Sequence, residues 1–335
     1  MMKTVYIKEF GGRENLEIRE IAEPAPPKAG EIMVRVAHAG INRADILQRR
    51  GLYPGPEDFD SHRPGLEFAG IVTLIGDSVN AFSIGDSVAG ITSGEAQSDF
   101  INIDERLAFP TDGLNAEAAG AIPEIFVTAH DALVSQAKVA AGETVLIHAI
   151  ASGVGLAAAQ IAKLNGATVI GTTRNAEKAE KLAEFSAFID HIIVTSNGPE
   201  FADDVLRLTN GRGANVVIDL VGGDYFAEEL RAAALKARII LVGLTAGRKA
   251  ELDMGVMLGK RLTVKGTVLR SRSTQEKAAA IAAFRQDLLP HLKSGKLFPV
   301  IDSVFPLDQI GEAHARVESD ENIGKVLIAF PHVEN

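Results

Sequence analysis

The stretch from Thr144 to Asn165 places the strongest constraint on how this chain folds. It opens with an apolar run, is interrupted by small residues from Ser152 to Gly155, and then resumes with apolar residues at helical spacing. This order predicts a strand, a tight glycine turn and a helix, the opening unit of a dinucleotide-binding fold. Backbone N–H groups at such a turn bind pyrophosphate. The alternative is a purely structural turn, because strand–glycine–helix units occur in many α/β proteins.

The pattern of that first unit repeats along the following hundred or so residues. We expect strands at 144–148, 167–172, 189–194, 215–219, 237–242 and 262–266, and helices at 153–165, 176–185, 200–209 and 224–234. Alternation of apolar strands with amphipathic helices predicts a doubly wound parallel sheet covered on both faces. The fold class is therefore α/β.

The chain before this region consists of short strand-like runs between glycines and prolines. Expected strands are 4–7, 31–36, 68–75, 86–91 and 97–103, with a short helix from Asn42 or Arg43 to Arg50 and a helix at 116–137. This spacing predicts a small barrel-like β domain. After the parallel sheet we expect helices at 274–293 and 307–317. A last strand at 325–330 is expected to return to the first domain.

The composition argues against several classes of protein. A chain of 335 residues has room for two domains. The net charge of −10 and the lack of a dense Lys/Arg run argue against nucleic-acid binding. No apolar stretch is long enough to predict a membrane span, and the N-terminus does not resemble a secretion signal. The sequence has no cysteine, so disulfides and thiolate zinc sites are excluded and a cytoplasmic location is expected.

The end of the second predicted strand of the parallel sheet indicates which dinucleotide binds. NAD sites usually place a carboxylate there, whereas this strand ends near Arg174 and Lys178. Because arginine pairs bidentately with phosphate, these residues predict NADP(H) through its 2′-phosphate. The alternative is an ordinary solvated helix start. Two later strand ends, at residues 219–223 and 241–245, are predicted to border the nicotinamide, although each also fits a simple turn.

Six segments distributed over nearly the whole chain resemble the zinc-independent quinone oxidoreductases of the medium-chain dehydrogenase/reductase superfamily. They are INRADILQRRGLYPGP (41–56), PGLEFAGIV (64–72), VLIHAIASGVGLAAAQIAK (145–163), VIDLVGG (217–223), LRSR (269–272) and NIGKVLI (322–328). The similarity is greatest to the subgroup with the tumour-suppressor-inducible quinone oxidoreductase. It implies a GroES-like β-barrel catalytic domain at 1–122 and 267–335 and a Rossmann NADP(H)-binding domain at 123–266.

The resemblance also implies which residues bind and react. Zinc-dependent members carry cysteine where this chain has Asn42 and Gly-His-Glu where it has Gly65-Leu66-Glu67, so no zinc is expected. Asn42 and Tyr53 would line the catalytic cleft. The residues implied at the cofactor are Asn42, Thr128, Ser152, Gly153, Val154, Gly155, Thr173, Arg174, Lys178, Leu220, Val221, Gly243, Leu244, Thr245, Leu269, Arg270, Ser271 and Asn322.

Several of these positions have a simpler structural explanation. Asn42 suits a helix cap, Tyr53 suits loop packing and Asn322 suits a turn. One departure from the family pattern concerns the cofactor: Ile150 stands where a glycine often lies in the phosphate turn. We expect Ile150 to crowd the ribose and weaken binding, so that Ile150→Gly tightens it.

The expected activity is hydride transfer from NADPH to a quinone, with Tyr53 as the candidate proton donor. One alternative is reduction of an enone or enoyl thioester, because the same hydride can attack a β-carbon. Another is an NADPH-binding protein with little turnover. The expected partner is a small quinone or conjugated carbonyl compound. The resemblance further implies a homodimer, or a tetramer, formed through the strand edge near Lys260 to Gly266.

Overall fold

The computed structural model describes residues 1–331, which pack into two compact units. Unit 1 comprises Met1–Val127 and the segment that begins at Leu269, and unit 2 comprises Thr128–Val268. Residues 332–335 lie outside the described part. Each unit has its own sheet and its own buried apolar core.

The elements of the two units follow one another along the chain. The strands are β1 (Met2–Ile7), β2 (Leu16–Ile21), β3 (Glu31–Ile41), β4 (Glu67–Ile75), β5 (Ser87–Ile91), β6 (Phe100–Asp104), β7 (Ala108–Pro110), β8 (Thr144–Ile147), β9 (Thr168–Thr173), β10 (His191–Val194), β11 (Ala214–Asp219), β12 (Ala233–Leu241), β13 (Thr263–Gly266), β14 (Ile301–Pro306) and β15 (Lys325–Ala329). The α-helices are α1 (Arg43–Arg49), α2 (Ala116–Ala121), α3 (Pro123–His130), α4 (Gly153–Leu164), α5 (Ala176–Lys181), α6 (Ala202–Leu208), α7 (Tyr225–Ala232), α8 (Met254–Lys260), α9 (Thr274–Asp287), α10 (Leu289–Lys293) and α11 (Ile310–Glu318).

Unit 2 contains a six-stranded parallel sheet. Its strand order is β10-β9-β8-β11-β12-β13, and every neighbouring pair is parallel. Numbered within the unit, this is the 3-2-1-4-5-6 order of a dinucleotide-binding fold, which confirms the predicted doubly wound sheet. All four residues of β8 are buried, as expected of a central strand covered on both faces. The strand order reverses between β8 and β11, and ligands of such sheets bind beyond the carboxyl ends of these strands.

Unit 1 contains a seven-stranded sheet with the order β14-β15-β3-β4-β5-β7, and β6 also pairs with β3. Neighbouring strands are antiparallel except for β14 and β15. Alternate apolar residues of these strands fill one core, together with side chains from α11. Since β15 lies between β14 and β3, the expected return of the last strand to the first domain is confirmed.

Two long predicted helices are broken at prolines. The segment 116–137 forms α2, α3 and a π-helical turn at Asp131–Gln136, and α3 begins at Pro123. The segment 274–293 ends as α9 at Asp287 and restarts as α10, with Pro290 in the first turn. Proline has no N–H to donate and its ring obstructs the preceding turn, so it starts a helix more readily than it continues one.

Several elements of the structure were not predicted, because the local sequence pattern that would indicate them is weak. The strands β2, β7 and β14 and the helix α8 had no clear periodicity, and α8 contains two glycines, which disfavour helix. The Asp253 carboxylate compensates by accepting hydrogen bonds from the N–H groups of Gly255 and Val256 at 2.9 and 3.0 Å. The expected helix 224–234 ends at Ala232, and β12 begins at once. Within residues 1–331, no helix combines the length and apolarity needed to cross a bilayer.

Candidate cofactor and acceptor sites

The turn between β8 and α4 has the geometry of a phosphate-binding site. The Ser152 hydroxyl caps α4 by accepting a hydrogen bond from the Gly155 N–H at 3.0 Å. A side chain at Gly155 would lie 2.6 Å from the Ala149 carbonyl oxygen, so only glycine fits this close turn. The first turn of α4 carries no acidic residue. Its N–H groups and helix dipole therefore favour an anion such as pyrophosphate.

We expected Ile150 to crowd the ribose of the cofactor, and the structure shows that this prediction is wrong. Its side chain is fully buried and packs on Gly171 of β9, where a Cβ would come within 2.6 Å of an Ile150 carbon. The left-handed backbone of this turn belongs instead to Ala149, with a φ of 47°. Ile150 thus fills the space that Gly171 leaves open and presents no surface to a ligand.

The carboxyl end of β9 carries the two basic residues expected at the 2′-phosphate. Arg174 follows β9 directly and is exposed, and Lys178 lies in the first turn of α5. The Asn175 side chain caps this helix by accepting the Lys178 N–H at 3.2 Å. Because β9 neighbours β8, both cations lie one strand away from the phosphate turn. That is the place of the adenosine ribose in this fold.

The loops after β11 and β12 are joined by backbone hydrogen bonds. The Asp219 carbonyl accepts the N–H groups of Val242 and Gly243 at 2.8 and 3.1 Å, and the Val221 carbonyl accepts that of Ala246 at 2.8 Å. A Cβ on Gly243 would lie 2.7 Å from the Leu220 carbonyl oxygen. Four residues expected beside the nicotinamide, namely Leu220, Val221, Gly243 and Thr245, are brought together by these contacts. Leu244 is 49% exposed in the same loop.

In unit 1, Asn42 belongs to a buried polar cluster. Its amide nitrogen donates to Glu67 Oε1 at 2.9 Å, and its oxygen accepts from the Lys325 ammonium at 2.5 Å. Lys325 also pairs directly with Glu67, and both side chains are almost completely buried. The Asn42 backbone N–H donates to Asp45 at 2.7 Å. Asn42 is therefore more than a helix cap, because its side chain connects a buried acid to a buried base.

Tyr53 is held at its place by Arg270. The buried Arg270 guanidinium donates to the Tyr53 carbonyl at 3.0 Å and to Gln48 Oε1 at 2.5 Å, and it lies 5.0 Å from the centre of the Tyr53 ring. These bonds give Arg270 a structural role that the sequence did not indicate. The Tyr53 hydroxyl makes no hydrogen bond to another described residue, so it is available to a ligand. Burial raises its pKa.

Glu124, at the start of α3, adds a second proton-bearing group. Its backbone N–H donates to Glu67 Oε2 at 2.8 Å. Although the residue keeps some exposure, its carboxyl group lies inside the protein, and burial, followed by the Glu67 charge, raises the pKa to about 8. The Glu124 carboxyl makes no hydrogen bond to the rest of the described chain. It therefore keeps its proton near neutral pH and lies close enough to Tyr53 to influence that side chain.

The remaining expected residues are less informative. Thr128 lies on α3, Thr173 is buried at the end of β9, Leu269 is buried and Ser271 is exposed. The Asn322 amide donates to the Gly324 carbonyl at 2.8 Å, as in a turn. Sequence reasoning missed Glu67, Glu124 and Lys325. A signal existed, because Glu67 and Lys325 are charged residues in otherwise apolar strands.

Sequence comparison identifies known families in both units. The model of the alcohol dehydrogenase GroES-like domain matches residues 28–138, and that of zinc-binding dehydrogenase matches residues 153–285. A quinone oxidoreductase of Pseudomonas aeruginosa is 31% identical over 98% of this chain and 99% of its own length. Quinone oxidoreductase-like protein 2 of Mus musculus is 30% identical over 95% of this chain and 90% of its own length.

Solved structures agree with this assignment. The JamJ enoyl reductase is 28% identical, with a TM-score of 0.88 over 99% of this chain and 100% of its own. A mycobacterial protein in complex with NADPH is 27% identical, with a TM-score of 0.87 over 98% of this chain and 100% of its own. The chain belongs to the quinone oxidoreductase subgroup of the medium-chain dehydrogenase/reductase superfamily.

Proposed function

We propose that this chain is an oxidoreductase that reduces a quinone with NADPH and without zinc. The observation that carries the proposal is a phosphate turn flanked by two cations in unit 2, in a chain whose unit 1 holds an unbonded phenol and a protonated carboxyl group. Two relatives that match nearly the full length of this chain are named quinone oxidoreductase and quinone oxidoreductase-like protein 2. Unit 2 would bind the cofactor and unit 1 the acceptor.

Arg174 and Lys178 support NADPH over NADH. A phosphate at the end of β9 is attracted by their charges, and arginine can bind it with two parallel hydrogen bonds. The similar mycobacterial protein was solved with NADPH bound. Ser152 and residues 153–155 would hold the pyrophosphate at the start of α4.

The cluster around Asn42 supports chemistry without zinc. A metal at this position would have to displace or neutralise the Lys325 ammonium, which already bonds to Asn42 and Glu67. No described residues form a group of three or more His, Asp or Glu side chains that suits a metal ion. Lys325 provides the positive charge that balances Glu67 inside the unit.

The reaction then depends on positioning and proton supply. When bound, the reduced nicotinamide supplies a hydride to the acceptor. The Tyr53 hydroxyl donates a hydrogen bond to the acceptor oxygen and stabilises the negative charge that develops there. Reduction of a quinone to a hydroquinone adds one proton for each hydride. Tyr53 or Glu124 gives that proton and regains it from solvent, because both groups are protonated near neutral pH.

A second candidate is reduction of an enoyl thioester or enone. The similarity to the JamJ enoyl reductase favours it, and the same proton donors would serve an enolate oxygen. Purified full-length chain should oxidise NADPH with members of a panel of benzoquinones and naphthoquinones. Faster turnover with a crotonyl thioester would favour the second candidate. NADPH binding with no turnover on either class would leave a binding protein with little activity.

Cofactor choice gives a separate test of the site. Arg174→Ala should weaken NADPH binding by roughly tenfold to a hundredfold, the range for one lost charged hydrogen bond. NADH binding should change little, since it has no 2′-phosphate. Glu184→Gln, which alters an exposed residue of the same unit, is the control. Equal losses for both cofactors would show that Arg174 does not contact the 2′-phosphate.

We also infer that the chain acts as a homodimer in the cytoplasm. The cysteine-free composition suits a reducing compartment. β13 pairs with β12 on one side, and no other described strand pairs with its outer edge. Open edges of this kind are usually covered.

A further inference from the structure

Two buried cations of unit 1 converge on Ser93. This residue lies in the loop after β5, Lys277 lies on α9, and Arg270 precedes that helix. The exposed fractions of Ser93, Lys277 and Arg270 are 1%, 6% and 5%. The Lys277 ammonium is hydrogen-bonded to the Ser93 hydroxyl, and Arg270 Nε donates to the Ser93 carbonyl at 2.8 Å. The reaction proposed above gives Lys277 no role.

The partners of both cations are uncharged. An ammonium has three N–H donors, and the Ser93 hydroxyl is the one described acceptor for that of Lys277. Arg270 donates to the Ser93 and Tyr53 carbonyls and to the Gln48 amide oxygen. No described carboxylate lies at ion-pair distance from either cation. Because buried cations are rarely left without an anionic partner, the pair points to an anion supplied by a ligand.

The Ser93 loop adds two backbone donors. The N–H groups of Ser93 and Gly94 donate to no described residue, although both residues are buried. A Cβ on Gly94 would lie 3.3 Å from the Phe59 ring, so the loop is packed at this point. Buried N–H groups nearly always have an acceptor. Successive N–H groups with free hydrogens are a common way to bind an anion in proteins.

The charges near the loop also favour an anion. The carboxyl groups whose charges act on Arg270 are those of Asp45 and Glu124, and Glu124 also acts on Lys277. Burial raises the pKa of Asp45 to about 6, and burial, more than any charge, raises that of Glu124 to about 8. At neutral pH, Asp45 is therefore ionised while Glu124 keeps its proton, so two cations face one carboxylate. Burial lowers the pKa of Lys277, and a neighbouring anion would raise it again.

Arg270 connects this loop to Tyr53. Its Nη1 donates to the Tyr53 carbonyl at 3.0 Å, and its guanidinium lies 5.0 Å from the centre of the Tyr53 ring. A Cβ on Gly55 would lie 3.1 Å from Arg270 Nη2, so a glycine leaves room for the guanidinium in the same segment. The cations thus lie beside the residue proposed to contact the acceptor. An anion bound by them would belong to the acceptor, since the proposed phosphate sites of the cofactor are in unit 2.

We propose that Lys277, Arg270 and the N–H groups of Ser93 and Gly94 bind a carboxylate group of the acceptor. The inference rests on the proposed function and narrows it to quinones or conjugated carbonyl compounds that carry an acid substituent. A single excess positive charge suits a carboxylate better than a phosphate ester, which carries nearly two negative charges. Binding of the substituent orients the acceptor relative to the Tyr53 hydroxyl.

Selectivity of the full-length chain between a charged and an uncharged acceptor tests the subsite. A naphthoquinone carboxylate and the corresponding carboxamide share one ring system, and comparing each compound between two proteins cancels their difference in reduction potential. Lys277→Met keeps the apolar stem and removes the charge. It should lower kcat/KM about tenfold to a hundredfold for the carboxylate, the range for one lost bond to a charged group, and less than about threefold for the carboxamide.

Lys296→Met, an exposed change in the same unit, is the matched control and should behave as wild type with both compounds. An equal fall in kcat/KM for the two compounds in Lys277→Met would show that Lys277 only supports the fold. No fall for either compound would show that the carboxylate does not reach Lys277. Either result overturns the subsite.

A second measurement uses wild type alone and so does not depend on the folding of a variant. Benzoate should inhibit the reduction of an uncharged naphthoquinone in competition with the quinone, and benzamide should inhibit at least about tenfold more weakly. Benzamide that inhibits as strongly as benzoate would overturn the subsite. Benzoate that competes with NADPH instead of the quinone would also overturn it.

The same assays judge the proposed function separately. Wild type that reduces the uncharged naphthoquinone without any of these carboxylate effects retains the proposed function and loses the subsite. Wild type that reduces no quinone loses the proposed function, and calorimetric titration of the full-length chain with benzoate then tests the anion site itself. Binding that Lys277→Met loses supports the site. Equal binding by both proteins, or no binding by wild type, overturns it.

Discussion

Glu124 holds a carboxyl group inside unit 1 beside a second carboxyl group, that of Glu67. Lys325 balances only one of the two charges, so the second carboxyl retains its proton to about pH 8. A protonated carboxyl group at neutral pH is a rare group in proteins and is suited to general acid catalysis. Its position near Tyr53 gives the acceptor two possible proton donors.

This arrangement predicts how quinone reduction depends on pH. The acid form of Glu124 disappears as pH rises through about 8, so kcat of wild type should fall there. Glu124→Gln should lower kcat at pH 7 by roughly a hundredfold, the usual contribution of one general acid, and remove that fall. Steady-state assays from pH 6 to pH 9.5 measure both effects. Glu117→Gln, an exposed change on α2, is the control.

The comparison with Tyr53→Phe separates the two donors. If Glu124 supplies the proton, Tyr53→Phe should leave the fall near pH 8 in place, because it removes only the hydrogen bond to the acceptor oxygen. An unchanged kcat and pH profile in Glu124→Gln would assign the proton to Tyr53 or to solvent. Measuring NADPH affinity of each variant in parallel separates an effect on cofactor binding from an effect on proton supply.

Ile150 provides a test of packing beneath the phosphate turn. Ile150→Ala removes a fully buried side chain from its contact with Gly171 and should lower the free energy of unfolding by about 2–5 kcal/mol. Ala149→Gly, the matched change one residue earlier, relieves a left-handed φ and should cost little or nothing. Urea denaturation compares them. Tighter NADPH binding by Ile150→Ala would restore the original interpretation, in which Ile150 crowds the cofactor.

At the scale of elements, α8 shows how one side chain supports a neighbouring helix. The Lys260 ammonium at the end of α8 donates to the carbonyls of Leu230, Arg231 and Ala233 at 2.8, 2.7 and 2.8 Å. These carbonyls lie at the C-terminus of α7, where no further N–H is available and the helix dipole favours a cation. Burial lowers the pKa of Lys260.

Lys260→Met should therefore destabilise unit 2 by about 1–3 kcal/mol, because the buried carbonyls lose their donor while the apolar stem is kept. Thermal unfolding followed by circular dichroism measures the loss. Lys249→Met, at an exposed position of the same unit, should have almost no effect. Equal midpoint temperatures of unfolding for the two variants would show that water replaces the ammonium as the donor to these carbonyls.

The elements also show what the sequence predicts reliably. The strand–turn–helix at Thr144 and the alternation after it depend on short-range apolar periodicity, and the structure confirms them. The breaks at Pro123 and Pro290 could have been read from the prolines, whereas α8 could not, because its glycines oppose a helix that Asp253 and tertiary packing stabilise. The position of Ile150 depended on a single backbone angle at Ala149, which no periodicity reveals.

At the scale of the whole molecule, the polar clusters were the least predictable features. Glu67 and Lys325 pair between strands far apart in sequence, and His148 and Glu229 meet only once the parallel sheet has formed. Local sequence indicates that a charge lies in an apolar strand, but not which partner it meets. The cofactor residues were easier to propose, because their positions follow from the strand ends of a known topology.

The assembly of the molecule gives the last prediction. No other described strand pairs with the outer edge of β13, and α8, which precedes it in the chain, exposes Met254 by 70% and Leu258 by 78%. Exposed apolar groups next to an unpaired edge are typical of a covered interface, which here would be a second copy of the same edge. The double variant Met254→Asp and Leu258→Asp should convert a dimer to single chains in sedimentation velocity. Ile84→Asp, which changes an apolar residue of unit 1 that is 62% exposed, should leave the dimer intact. A double variant that stays dimeric would place the interface elsewhere. A wild-type chain that sediments as a monomer would show that no such interface forms, and the short length and charge of β13 would then have to protect its edge.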